Sequence, residues 1–379
     1  MTMTAQERLD DLVLLEATDT GGMLRAVASA AAQVRMAVRA TDETDLRSAL
    51  SAGRPRAIVV TGMGGSGEAG EVLAAVCGPG SASPVVTLHD YQLPGWVGAA
   101  DMVIAVSSSG ATEETLAAAA EAVRRGCPLA CVGGADSPLA TLAEQASAPF
   151  VPVEPAGMLR ASLWGLSVPL LMIAGLLGVA DIPVDGFELA ASNLERISYL
   201  CRPDSESFVN PAKTLALELA GTLPMIWGSS PLAGVAASRF ACQLSENAKY
   251  PAVPGVLPEA NHNQVVAFDG PFVPWPSGGP GAVDPEARPA VPLRLVILRD
   301  SQEHPQVARR REASVELAGQ RGIEVSELAA EGEQPLERLA SLVQLTDYAT
   351  VYLGIASGID PGPVAVIGDL KDRIAEQRW

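Results

Sequence analysis

Ala57-Ile58-Val59-Val60-Thr61-Gly62-Met63-Gly64-Gly65-Ser66-Gly67 is the stretch on which the fold turns. A short β-branched run closed by glycine is the mark of a strand buried in a parallel sheet. The glycines let the chain turn sharply, and an Ala/Val/Leu-rich helix is expected from there to Val76. The unit then recurs. Short apolar runs stand at Pro84–Leu88, Met102–Val106 and Leu129–Gly133, with an alanine-rich helix at Glu114–Arg125 between the last two. Strand, loop and helix in repetition predict a doubly wound parallel sheet.

Upstream, residues 1–50 read as mostly helical, with apolar spacing through Met23, Val27, Ala30, Val34 and Val38. Downstream, the second half echoes the first. Leu223–Gly228 is again a strand closed by glycine, followed by Ser229-Ser230 and a helix from about Leu232 to Ala248. Laying Gly62 on Gly228 superposes strand, turn and helix. A strand at Leu293–Leu298, a helix at Gln306–Arg321, a strand over Gly322–Val325 and a helix at Asp347–Ile355 follow.

Between the halves, Ala161–Ala180 runs for twenty residues without a charge, the length of a membrane span. Pro169, Gly165, Gly175, Gly178 and two serines interrupt it, and its flanks, Arg160 and Asp181, bring no basic cluster. A buried helix joining two lobes is the expectation. The expected organisation is N-terminal helices and a first lobe over 1–160, a linking helical segment over 161–195 and a second lobe over 196–379. The Gly/Pro-rich stretch Pro274–Pro292 is expected to be a surface loop.

The 379 residues are 48% hydrophobic and 18% charged, which excludes disorder for the bulk of the chain. With 44 acidic against 26 basic residues, the net charge of -18 disfavours nucleic acid and anionic membrane as partners. A small anion can still bind, through local donors. The five cysteines (Cys77, Cys127, Cys131, Cys201, Cys242) form no C-x-x-C pair and the three histidines are scattered, so no metal site is expected. Free buried thiols suit a reducing cytoplasm. Met1–Leu15 lacks the basic start and apolar core of a signal peptide, and a cytoplasmic location is expected.

Two loops supply candidate donors. Gly62–Gly67 opens a helix whose free N–H groups favour an anion. It lacks the acidic partner about twenty residues on that a dinucleotide fingerprint requires, and no Gly-Lys-Ser/Thr follows. Ser107-Ser108-Ser109-Gly110-Ala111-Thr112 ends the Met102–Val106 strand at the carboxyl edge of the sheet. One serine there would be a helix cap. Four hydroxyls opposite a second glycine-serine turn favour a phosphate site. G-M-G-G-S-G at 62–67 with S-S-S-G-A-T-E-E-T at 107–115 resembles the sugar isomerase (SIS) domain over roughly residues 40–160, a flavodoxin-like lobe that binds phosphosugars.

The second half carries polar residues out of keeping with their neighbours. Glu246 ends the helix from Leu232, and His262 stands in Glu259-Ala260-Asn261-His262-Asn263. A carboxylate and an imidazole suit proton abstraction plus opening of a cyclic sugar. Spacing alone leaves open that Glu246 is a solvated helix end and His262 a loop residue bonded to backbone. S-E-N-A-K at 245–249 with E-A-N-H-N at 259–263 resembles the bifunctional phosphoglucose/phosphomannose isomerases, a family with two SIS domains. So does Gly358-Ile359-Asp360-Pro361-Gly362-Pro363-Val364 followed by Leu370-Lys371.

That resemblance implies Glu246 as the base moving a proton between C1 and C2 through a cis-enediol. It implies His262 as the ring-opening group, contributed by the partner of a homodimer, Arg160 beside the enediolate and Lys371 at the substrate. The phosphate of a hexose would lie on Gly64, Gly65, Ser66, Ser107, Ser109 and Thr112, with no cofactor and no metal. A permanently charged arginine suits a developing enediolate. Leu159 stands where the family pattern leads one to expect proline, and the 274–292 loop is long for the family. Two other readings compete: a noncatalytic sugar-phosphate binding or regulatory SIS protein, and an amino-sugar isomerase or deaminase. The joint presence of Glu246, His262 and Arg160 favours the isomerase.

Overall fold

The computed structural model describes residues 3–51, 53–154, 157–183, 185–273 and 291–376. All but the last two residues of the expected 274–292 loop lie outside the described residues. Helices α1 (Ala5–Asp10), α2 (Leu12–Thr18), α3 (Met23–Ala28), α4 (Ala30–Asp42) and α5 (Arg47–Leu50) lead in. The first sheet follows as β1 (Ile58–Thr61), α6 (Gly65–Cys77), β2 (Val85–Leu88), β3 (Met102–Ser107), α7 (Glu113–Arg124), β4 (Leu129–Gly133), α8 (Pro138–Gln145) and β5 (Phe150–Pro152). Its strand order is β2-β1-β3-β4-β5, parallel throughout. β1 and β3 are buried along their whole length, which is why they read as unbroken apolar runs. β5 escaped the sequence reading because it is three residues long and ends in Pro152, tolerable on an edge strand.

A 3₁₀ turn at Leu159–Ala161 leads into α9 (Leu163–Leu176), then α10 (Gly186–Leu200) and α11 (Pro211–Leu219). The second sheet is built from β6 (Leu223–Gly228), α12 (Pro231–Gln243), β7 (Val253–Val256), β8 (Leu293–Arg299), α13 (Pro305–Gln320) and β9 (Glu324–Ala329). Helices α14 (Pro335–Ala356) and α15 (Ala365–Glu376) end the described chain. The order is β7-β6-β8-β9, again parallel. The fold is therefore two parallel-sheet α/β groups, as the strand–helix repetition implies.

Alternation along each strand divides the core. Val60, Ile104 and Val132 of the first sheet share one cluster with Ile226, Val296 and Leu298 of the second, filled in by α9, α12 and α14. Val59, Val103 and Cys131 face a separate cluster under α7 and α8. Met225, Trp227, Leu295 and Ile297 face a third, with Leu257, Ala260 and Phe268. The apolar α9 packs against α4, α6 and β4, all on the side of the first sheet, while the two groups meet through α6 on α12 and α10 on α14. No described helix is long and apolar enough to cross a membrane. Of the thiols expected to be buried, Cys127, Cys131 and Cys201 are, Cys77 is half-buried and Cys242 is exposed. Cys242 lies on the side of α12 where the charges of Glu68 and Glu246 act on it, away from the packed helix face.

Candidate active site

The carboxyl edge of the first sheet forms a cradle from two loops. Between β1 and α6 the backbone passes through Gly64 at φ 53°, ψ −132°, a conformation open in practice to glycine alone. A Cβ on Gly64 or Gly65 would meet nothing within 4 Å, so the space in front of the loop is free for a ligand. Ser66 is buried, and its Oγ accepts from the N–H of Ser108 at 3.1 Å, stitching the loops together. The hydroxyls of Ser107 and Thr112 bond each other at 2.9 Å, and Ser109 Oγ accepts from Ala111 N–H at 3.3 Å. Gly64, Gly65, Ser66, Ser107, Ser109 and Thr112 thus share one edge of one sheet. Ser108 Oγ, counted among the four hydroxyls of this loop but not among the residues assigned to the phosphate, is buried without a partner among the described residues.

Glu246 lies in a π-helical turn, Leu244–Ala248, that ends α12. Such turns widen the helix and re-aim a side chain, often at functional sites. Glu246 Oε2 stands 3.7 Å from Arg160 Nε. Burial raises the pKa of Glu246, and the Arg160 charge only partly opposes it. The nearly buried Arg160 guanidinium is aimed by its partners: Nε donates to Asn247 Oδ1 at 2.8 Å, Nη2 to Gly362 O at 2.9 Å and also to Pro361 O. Asn247 is itself held, donating to Thr350 Oγ1 at 2.9 Å and Gln243 Oε1 at 3.1 Å. Lys249, in the left-handed region at φ 56°, donates to Glu246 O at 2.6 Å. Chemically this is a carboxylate pushed toward basicity beside a fixed cation, suited to moving a carbon-bound proton while stabilising the anion left behind.

A second arginine connects carboxylate and cradle. The fully buried Arg239 of α12 donates through Nη1 to Glu68, in the first turn of α6 two residues past Ser66. Through Nε and Nη2 it grips Asp347 of α14 at 3.1 and 2.7 Å, and Nη2 also reaches Arg160 O at 3.2 Å. Burial alone would lower its pKa. Asp347 and Glu68 outweigh that and raise it, keeping the guanidinium charged. Sequence reasoning missed this group, although a charge inside the small-residue helix Leu232–Gln243 was its signal.

His262 and Lys371 are not drawn in. His262 is exposed on the 3₁₀ turn Glu259–His262, whose Ala260 packs in the Trp227 cluster. Leu244 and Ala248, which flank Glu246, pack in the cluster on the opposite face of the second sheet. The neighbours of His262 and of Glu246 in one chain are thus anchored on opposite faces of the second sheet. Lys371 lies on α15, in which no residue is buried.

Residues 208–374 match the model of the "Bacterial phospho-glucose isomerase C-terminal SIS domain". The chain is 32% identical over 322 residues to the bifunctional phosphoglucose/phosphomannose isomerase of Caldicellulosiruptor bescii, covering 84% of this chain and 89% of that one. To the enzyme of the same name from Aquifex aeolicus it is 29% identical, over 84% and 90% of the two chains. Among solved structures, a hypothetical protein from Thermus thermophilus superposes with a TM-score of 0.70 at 17% identity over 99% of this chain and 95% of the other. That last likeness speaks to the fold alone.

Proposed function

The chain belongs to the bifunctional phosphoglucose/phosphomannose isomerase family, and from that premise we propose that it interconverts fructose 6-phosphate with glucose 6-phosphate, mannose 6-phosphate or both. The observation that carries this reading is the half-buried Glu246 beside Arg160, 3.7 Å away, tied by Arg239 to the helix that opens the phosphate cradle. The phosphate lies on Ser66, Ser107, Ser109 and Thr112 with the backbone of Gly64 and Gly65, donors that need no lysine or arginine. Glu246 takes the C1 proton of the open-chain ketose. The electron pair moves into a C1–C2 double bond and the C2 carbonyl becomes an enediolate oxygen beside Arg160; the hydroxyl proton of O1 passes to O2, so that C1 becomes the carbonyl as the carbon-bound proton returns at C2 to give the aldose. Rotation about C2–C3 before that return presents either face of C2, so one base can make either epimer.

The anchoring of the His262 turn and of the residues flanking Glu246 on opposite faces of the second sheet supports a homodimer in which His262 of one copy opens the sugar ring at the site of the other. Val253, Val256, Val266 and Phe272, exposed around the His262 turn, suit an interface. Lys371 reaches the substrate from α15, whose root at Gly362 already touches Arg160. The protein works in the cytoplasm, without a cofactor.

The test is turnover of fructose 6-phosphate by wild type and Glu246→Gln, followed by the appearance of both aldose phosphates. Wild type is expected to be active and the variant to lose turnover while still binding fructose 6-phosphate. A wild type that binds without turnover would instead support a noncatalytic sugar-phosphate binding protein.

A further inference from the structure

Arg239 uses all three of its nitrogens to bind three separate elements: Glu68 on α6, Asp347 on α14 and the backbone of Arg160. Glu68 is itself buried, which is unusual for a carboxylate unless it is paired. Its position matters more than its pairing. It follows Ser66 by two residues in the first turn of the helix that would carry the phosphate, and its partner holds the turn from which Arg160 projects. The phosphate end and the carbon end of the site are thus joined through one buried ion pair between residues 171 positions apart.

We propose that Glu68 is a positioning residue that, through Arg239, sets the distance between the phosphate cradle and the Arg160–Glu246 pair and so measures the substrate's carbon chain. This deepens the isomerase reading and rests on it. A phosphate and a reacting carbonyl five carbons apart must be registered together, and small misplacement of reacting groups costs rate rather than affinity. A rigid link between cradle and base does that, whereas a link through solvent-exposed loops would let the two ends drift.

Glu68 also acts on Glu246 by charge. The cations facing Glu246 are Arg160, Arg239 and Lys249, and the anion facing it is Glu68. Glu68 faces Glu71 from its own helix, the Cys242 thiol from α12, and Asp347 beyond Arg239. Asp360 faces Arg160 and Lys249. Removing the Glu68 charge takes away the repulsion that helps keep Glu246 basic, so the acid limb of kcat/KM moves to lower pH.

The experiment compares wild type, Glu68→Ala and Glu68→Gln for kcat and KM on fructose 6-phosphate, for the ratio of hexose 6-phosphate to pentose 5-phosphate turnover, and for the acid limb of kcat/KM. In Glu68→Ala, kcat is expected to fall on the order of ten- to a hundredfold with little change in KM, and the hexose preference to shrink. In Glu68→Gln, the limb is expected to move down. A merely structural role would lower thermal stability and leave limb and selectivity in place. Should Glu68→Ala not fold, the isosteric Glu68→Gln decides alone: wild-type limb and wild-type selectivity overturn the proposal. Inactivity of wild type would instead strike the isomerase reading, so the two failures are told apart.

Discussion

Glu246 carries the clearest conflict between stability and function. Burial raises its pKa above the ordinary value near 4.5, so its ionised form at neutral pH is a cost to the fold. A group with a raised folded-state pKa favours the fold when protonated, below its unfolded value, and that contribution is lost as pH rises through the folded value. Glu246→Gln is therefore expected to raise Tm at pH 7 while abolishing turnover. The gain should shrink as pH falls toward the ordinary glutamate range, about 4.3. Scanning calorimetry across that range checks it; a variant less stable than wild type at pH 7 would count against the burial account. Glu246 and His262 were legible as residues because their polarity clashed with their surroundings. Arg239, Asp347 and Asn247 were not, since their partners lie 171, 108 and 103 positions away and no local spacing announces them.

At the level of elements, the two sheets begin alike and then diverge. Gly62 and Gly228 each close a strand before a helix, and aligning them superposes their turns. Only the first is open. In the second, Ser230 Oγ caps α12 by accepting from Ala233 N–H at 3.1 Å and donates to Asp300 Oδ2 at 2.7 Å. The other Asp300 oxygen accepts from Gln302 N–H at 3.1 Å and from Arg338 Nε at 2.8 Å. An internal carboxylate thus binds the turn of the second sheet, whereas the first sheet leaves open space at Gly64 and Gly65. Asp300 and Arg338 are both nearly buried, so Asp300→Ala should strand a buried cation and cost about 3–5 kcal/mol in denaturant unfolding. A loss below about 1 kcal/mol, the range of exposed pairs, would contradict the burial seen for this pair. The repeated pattern made the paired architecture readable; the carboxylate bound at the second turn needed the fold, because Asp300 comes from the far end of β8.

On the scale of the whole molecule, what matters is that the neighbours of His262 and of Glu246 are anchored on opposite faces of the second sheet. The proposed completion of each site by a partner's histidine is testable by complementation. Glu246→Gln and His262→Ala, each inactive alone, should regain activity when mixed and allowed to exchange subunits. Random pairing gives half heterodimers with one intact site each, hence about one quarter of wild-type activity. Mixtures no more active than the separate variants would place His262 in its own chain's site. Helix α15 belongs to the same question, since Val366, Leu370 and Ile374 stand exposed along it.

The residue order alone determined the alternation of buried strands and helices, because apolar periodicity and glycine placement act locally. It also determined that hydroxyls and amides would gather at the end of the first sheet, since those groups are adjacent in the chain. Tertiary structure decided the rest: which of two similar turns stays open, how far Glu246 is driven toward basicity, and which residues hold Arg160 in place. Burial and charge pairing depend on neighbours brought from distant parts of the chain, and no spacing encodes them.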